Sequence, residues 1–161
     1  YIAQGVTSID STTPLRQSFM DEEDNYWIQG DRYTAIRIPQ VDASPALKRR
    51  IKSGLVDQDE AFKLEQRSLS LIRAYDKEEV EIDTVMATIE EYELLWGGKA
   101  TRMERYRRTL EDQPWRACRC GICDRIGIEV VIFRGAERNR RRGFHNLSVF
   151  RKELNQVLAD D

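Results

Sequence analysis

All three cysteines of the 161-residue chain, Cys118, Cys120 and Cys123, fall within six residues, and its one histidine, His145, follows shortly after. Three thiolates from one tight loop and an imidazole from a more distant segment supply the four ligands that a tetrahedral zinc ion takes. Gly121 relieves the backbone where the loop bends. Four protein donors leave no coordination position for water or substrate, so the expected metal is structural zinc, held by Cys118, Cys120, Cys123 and His145. Closely spaced cysteines also serve iron–sulfur and redox sites. It is the histidine that favours zinc.

Composition limits what surrounds such a site. The chain is shorter than the roughly 250 residues of a complete (β/α)8 barrel, so any barrel in it must be partial. It begins at Tyr1 without a signal-peptide pattern and reads as a piece of a longer polypeptide. No stretch approaches the roughly 20 apolar residues of a membrane helix, and an odd cysteine count fits a reduced, cytoplasmic setting better than a disulfide framework. Net charge is only −2. From Lys99 to His145, however, thirteen basic residues face six acidic ones. A basic sector on an acidic chain is the footprint of a docked polyanion.

Hydrophobic periodicity and turn residues divide the chain further. Residues 1–10 read as a short buried strand that delivers Asp10 to the loop Ser11-Thr12-Thr13-Pro14. Leu15 to Met20 reads as a short helix, and Tyr26 to Ile38 as a hairpin turning at Gly30-Asp31. Ser44 and Pro45 start a helix that Gly54 stops, and Asp57 with Glu60 starts a longer one. Asp76 and Glu79 mark the expected start of the next, whose stripe of Ile82, Val85, Ile89, Tyr92 and Trp96 runs to Gly97-Gly98. A further amphipathic helix carries Met103, Tyr106 and Leu110. After the cysteine loop come an expected strand from Ile128 to Phe133 and a basic loop from Arg134 to Arg142. A final helix from Gly143 to Leu158 follows, with Phe144, Leu147, Phe150, Leu154 and Leu158 inward and His145 in its first turn. The expected domains are 1–41, 42–111 as a helical insertion, and 112–161 as the zinc-binding subdomain.

The cysteine motif with the pair His145-Asn146 resembles the zinc site of the tRNA-guanine transglycosylases and their DNA-modifying relatives, which exchange guanine for a 7-deazaguanine base. A second resemblance lies near the start. Gly5-Val6-Thr7-Ser8-Ile9-Asp10-Ser11-Thr12-Thr13-Pro14-Leu15-Arg16 is similar to the family's nucleophile segment, although Thr7 replaces an acidic residue. The resemblance makes Asp10 the nucleophile and puts Arg16 where the family contacts nucleic acid. It implies an α/β fold, namely the C-terminal part of a TIM (β/α)8 barrel with a helical insertion and a zinc-binding subdomain. The stretch between the two motifs is longer than in the bacterial tRNA enzymes. The run from Ile132 through Asn146 looks like the DNA-modifying branch, which favours DNA over tRNA.

A carboxylate at a barrel strand's C-terminal end can attack an anomeric carbon and split one hard displacement into two easier ones. The base must first leave its stack, at a cost of a few kcal/mol. Arg134, Arg138, Arg140, Arg141 and Arg142 could hold the backbone meanwhile, whereas Trp27 and Trp115 fit the core better than a stacking platform. The expected function is therefore base exchange in nucleic acid, with a 7-deazaguanine base as co-substrate. The missing barrel half would be supplied in cis or by a partner subunit, leaving the isolated chain inactive. The alternatives are a non-catalytic zinc-ribbon nucleic-acid-binding module or accessory subunit, and an enzyme acting on tRNA.

Overall fold

A computed structural model describes residues 11–159. The fold is mixed α/β and mostly helical. Helix α1 (Thr13–Met20) opens on Pro14, whose missing N–H costs nothing in a first turn. Strands β1 (Tyr26–Ile28) and β2 (Asp31–Tyr33) pair antiparallel, with Tyr26 opposite Tyr33 and Trp27 opposite Arg32. Gly30 takes a φ of +77° in the turn, a conformation that favours glycine.

The expected hairpin ends earlier than its sequence pattern. Beyond Tyr33 the chain crosses to a second sheet, where β3 (Ile36–Arg37) pairs parallel with β4 (Ile132–Phe133). Side chains satisfy the backbone at the crossing point. The Ala35 amide donates to Asn25 Oδ1 at 2.8 Å, and the Thr34 carbonyl accepts from Thr109 Oγ1 at 2.8 Å. Ala35, Ile36 and Ile38 are all buried, so the apolar run continues into the core instead of along a two-stranded ribbon.

The helical block forms largely as its local signals require. Ser44 caps α2 (Pro45–Lys52) by accepting from the Leu47 amide, and Asp57 caps α3 (Gln58–Asp76) by accepting from Glu60 at 2.8 Å. Helix α4 (Ile82–Trp96) starts after Glu81, not at Asp76. Asp76 instead ends α3, and its carboxylate accepts from Trp115 Nε1 at 2.8 Å. Gly97, in the left-handed region, closes α4. Leu64, Leu69 and Ile72 of α3 share one core with Val85, Ile89, Tyr92 and Trp96 of α4 and with Tyr106 and Leu110 of α5 (Met103–Asp112). Each such side chain contributes about 1.5–3 kcal/mol on burial.

The last third differs most from the sequence pattern. Short helices α6 (Pro114–Ala117) and α7 (Cys123–Ile126) flank the cysteine loop. The expected strand from Ile128 is a 3-10 turn, Gly127–Val131, before the two-residue β4. Most of the expected basic loop belongs to α8 (Ala136–Ala159), so His145 sits inside the helix, not in its first turn. The inward face of α8 carries Arg142, Gly143, His145, Asn146 and Val149, whereas Phe144 and Leu158 are exposed. Polar partners on α1 and β1 select that face. Among the described residues no helix is long and apolar enough to cross a membrane.

Candidate metal centre

The cysteine loop and the middle of α8 converge. Nδ1 of His145 lies 3.3 Å from Sγ of Cys120, 3.3 Å from Sγ of Cys123 and 3.7 Å from Sγ of Cys118. All four ligand atoms fall within 4.8 Å of one another. Tetrahedral zinc, with bonds of about 2.3 Å to sulfur and 2.0 Å to nitrogen, requires ligand separations of about 3.5–3.8 Å. The donor set is soft and complete, so the cluster is compatible with a structural metal site.

The surroundings fix each donor. Nε2 of His145 lies 2.6 Å from the Trp27 carbonyl oxygen, to which its N–H donates, and this leaves the Nδ1 lone pair toward the sulfurs. The Cys123 amide donates to Cys120 Sγ. The hydrogen bond from Cys123 holds the Cys118 thiol well below its ordinary value against burial, with His145 adding to the effect. Cys123, the partner in that bond, is pushed upward, and burial adds to its shift. Burial opposes protonation of His145, yet its bonds to Cys118, Cys120 and the Trp27 carbonyl raise it to about 9.

Asn146, the residue after the histidine, is also fully buried. Its Oδ1 accepts from the Trp27 amide at 3.0 Å, and its Nδ2 donates to the carbonyls of Asn25 and Pro14, each at 3.1 Å. The sequence marked Asn146 only as part of a motif. Its partners lie more than a hundred residues away along the chain, so no local signal reveals them.

The remaining expected site residues are scattered. Asp10 lies outside the described residues. Arg16 is exposed on α1, and Arg140 is exposed on α8. Arg134 pairs with the buried Glu65, Arg138 with Glu129 at 2.9 Å, and Arg141 with Glu137. Arg142 is fully buried, and its donors meet carbonyl oxygens of Ser18, Val130, Ile132 and the Asn139 side chain. As folded, that guanidinium faces the protein and not a phosphate in solvent. Trp27 and Trp115 are buried in the core, as expected.

No family model matches the chain. The chain is 49% identical, over an alignment of 163 residues, to a DNA-guanine transglycosylase of Salmonella montevideo. The match takes in 99% of this chain but only 39% of that protein's length. By sequence the chain is therefore a relative of the guanine transglycosylases, the superfamily that its cysteine knuckle and its Asp10 segment resemble.

Proposed function

We propose that the chain is the part of a DNA-guanine transglycosylase that carries the attacking carboxylate and a structural zinc ion. The observation that carries this reading is the 49% identity to a protein of that name along nearly the whole chain. The complete enzyme replaces guanine in DNA with a 7-deazaguanine base. Asp10 attacks the sugar anomeric carbon as the bond to guanine breaks, and the departing base takes up a proton from an acid elsewhere in the enzyme. The resulting glycosyl ester is then attacked by the incoming base, which loses its ring N–H proton as Asp10 leaves.

On this reading the block 42–111 is an insertion, and the parallel pairing of β3 with β4 is of the kind a barrel sheet requires. Zinc, held by Cys118, Cys120, Cys123 and His145, supplies folding energy and no chemistry. Arg16 and Arg140 are exposed and pair with no carboxylate among the described residues, so among the expected arginines they are the ones placed to meet phosphates directly. Arg134, Arg138 and Arg141 reach the backbone only by sharing or exchanging their carboxylate partners. A DNA substrate and reduced thiols suit a cytoplasmic enzyme. The test is exchange of labelled guanine out of duplex DNA by the complete polypeptide: turnover that Asp10→Asn abolishes supports the proposal, and undiminished turnover in that variant refutes it.

A further inference from the structure

We infer that Lys48, Arg49 and Lys52 of α2 form a phosphate-binding face that holds duplex DNA, an inference that rests on the proposed DNA substrate. Helix α2 carries four basic residues in eight and no acidic one. Helical spacing puts Lys48, Arg49 and Lys52 on one side, and all three are exposed. On the other side Leu47 is buried and Ile51 half-buried. Arg50 turns toward the protein. A Cβ on Gly97 would come 3.3 Å from its Nη1, at the C-terminal end of α4, where a helix favours a cation.

Most cations of the basic sector between Lys99 and His145 already have a counter-charge. In α5, Arg105 pairs with Glu23 at 3.0 Å, Arg107 with Asp83 at 2.8 Å, and Arg108 with Asp31. Arg116 meets Glu78 at 3.1 Å. Each of these must give up its carboxylate before it takes a phosphate. Lys48, Arg49 and Lys52 pair with no carboxylate among the described residues. The acid that follows α2, Asp57, is committed to the Glu60 amide.

The fold itself gains little from this face. A helix C-terminus offers about half an elementary charge, too little to balance the cations of α2. Lys48 and Lys52 stand four residues apart, a spacing at which like charges destabilise a helix. A polyanion relieves that repulsion and releases its own counterions as it docks. The two lysines are about 6 Å apart along the helix axis, within reach of neighbouring phosphates that recur about every 3.4 Å of duplex axis on each strand. The position suits a substrate as well. Strands β3 and β4 run parallel, so α2 and α8 follow from the same edge of that sheet, the edge where barrel enzymes carry their sites. Glu65 joins the two exits, accepting from the Val41 amide at 2.7 Å and pairing with Arg134.

The test is equilibrium binding of the complete enzyme to a fluorescent guanine-containing duplex, repeated across a salt series. Lys48→Gln, Arg49→Gln and Lys52→Gln are combined, because glutamine removes the charge and keeps helix propensity. The expected result is a Kd raised about tenfold to a hundredfold at low salt, with the slope of log affinity against log salt flatter by about one for each cation lost. Lys48→Arg with Lys52→Arg should keep the parental slope, since a phosphate accepts either cation. Lys77→Gln, Arg151→Gln and Lys152→Gln combined, which remove three exposed cations elsewhere, should bind as the parent does. Parental affinity and slope in the α2 triple variant overturn the inference. So does an equal loss in the Lys77, Arg151 and Lys152 variant, which marks a diffuse field instead of a face. If the α2 triple variant does not fold, Lys48→Gln and Lys52→Gln carry the test singly, each flattening the slope by about one. A parental enzyme that binds no duplex removes the DNA reading and this inference with it, whereas duplex binding undiminished in the α2 variants removes this inference alone.

Discussion

The rings of Tyr26 and His145 stack face to face, with centroids 4.2 Å apart and planes 4° from parallel. The Tyr26 hydroxyl reaches past the imidazole to within 3.3 Å of Cys123 Sγ. One fully buried tyrosine thus stacks on the imidazole of the cluster and hydrogen-bonds one of its sulfurs. Tyr26→Phe keeps the stack and loses the O–H···S bond, at an expected cost of about 1 kcal/mol in stability and about tenfold in metal affinity. Tyr26→Ala removes the stack as well, at about 3–5 kcal/mol. Chemical denaturation and competitive chelator titration check both. Equal effects of the two variants would show that the ring does not matter.

Zinc removal should unfold the last third of the chain while leaving part of the helical block structured. Metal analysis is expected to find about one zinc per chain, because four protein donors close one tetrahedral site. Chelation is expected to abolish amide protection between residues 114 and 150, since binding free energy at such sites is folding free energy. Protection that survives complete metal removal would contradict a structural role.

Asn146→Ala leaves the Trp27 amide and the Pro14 and Asn25 carbonyls without their side-chain partner. The expected loss is about 3 kcal/mol, the scale of orphaned buried polar groups. Asn146→Asp tests direction. A carboxylate can still accept from Trp27, but it cannot donate to the two carbonyls. It should therefore destabilise nearly as much, as read by thermal unfolding.

How much of this was visible in the sequence depends on how local each cause is. The caps at Ser44 and Asp57 and the stop at Gly97 act within a few residues, and all three form as the sequence requires. The metal quartet was legible for a different reason. Cysteines and a lone histidine are chemically specific wherever they stand, and the four donors do converge. The face of α8 was not legible. Apolar spacing pointed to Phe144 and Leu158, but the helix turns Arg142, His145 and Asn146 inward, because α1 and β1 present carbonyls and an amide there. Asn146 and Pro14 are 132 residues apart, beyond any local pattern. Likewise, Arg142 reads as one more cation in a basic run until its partners are known.

Glu93 provides a test by pH. Its carboxylate is fully buried, bonds Arg102 at 3.0 Å, and lies near Tyr106. Burial raises it above its ordinary value of 4.5, against the opposing pull of Arg102 and the Lys99 amide. A carboxyl raised on folding holds its proton more readily in the folded state than in the unfolded one. Its contribution is therefore fully present below 4.5 and lost as pH rises through the folded value. Wild type should lose stability relative to Glu93→Gln as pH rises above 4.5. Denaturation midpoints across that range check the slope, and the opposite slope would show that Arg102 outweighs burial. Arg102→Ala, which strands the carboxylate, should cost about 3–5 kcal/mol.

The most direct test of the proposed chemistry is a mass spectrum of the complete enzyme trapped with guanine-containing DNA and digested to peptides. The expected spectrum shows a sugar-linked fragment on the peptide containing Asp10, absent from Asp10→Asn. A trapped adduct on a different peptide, or guanine exchange with no Asp10-dependent adduct, would contradict the account.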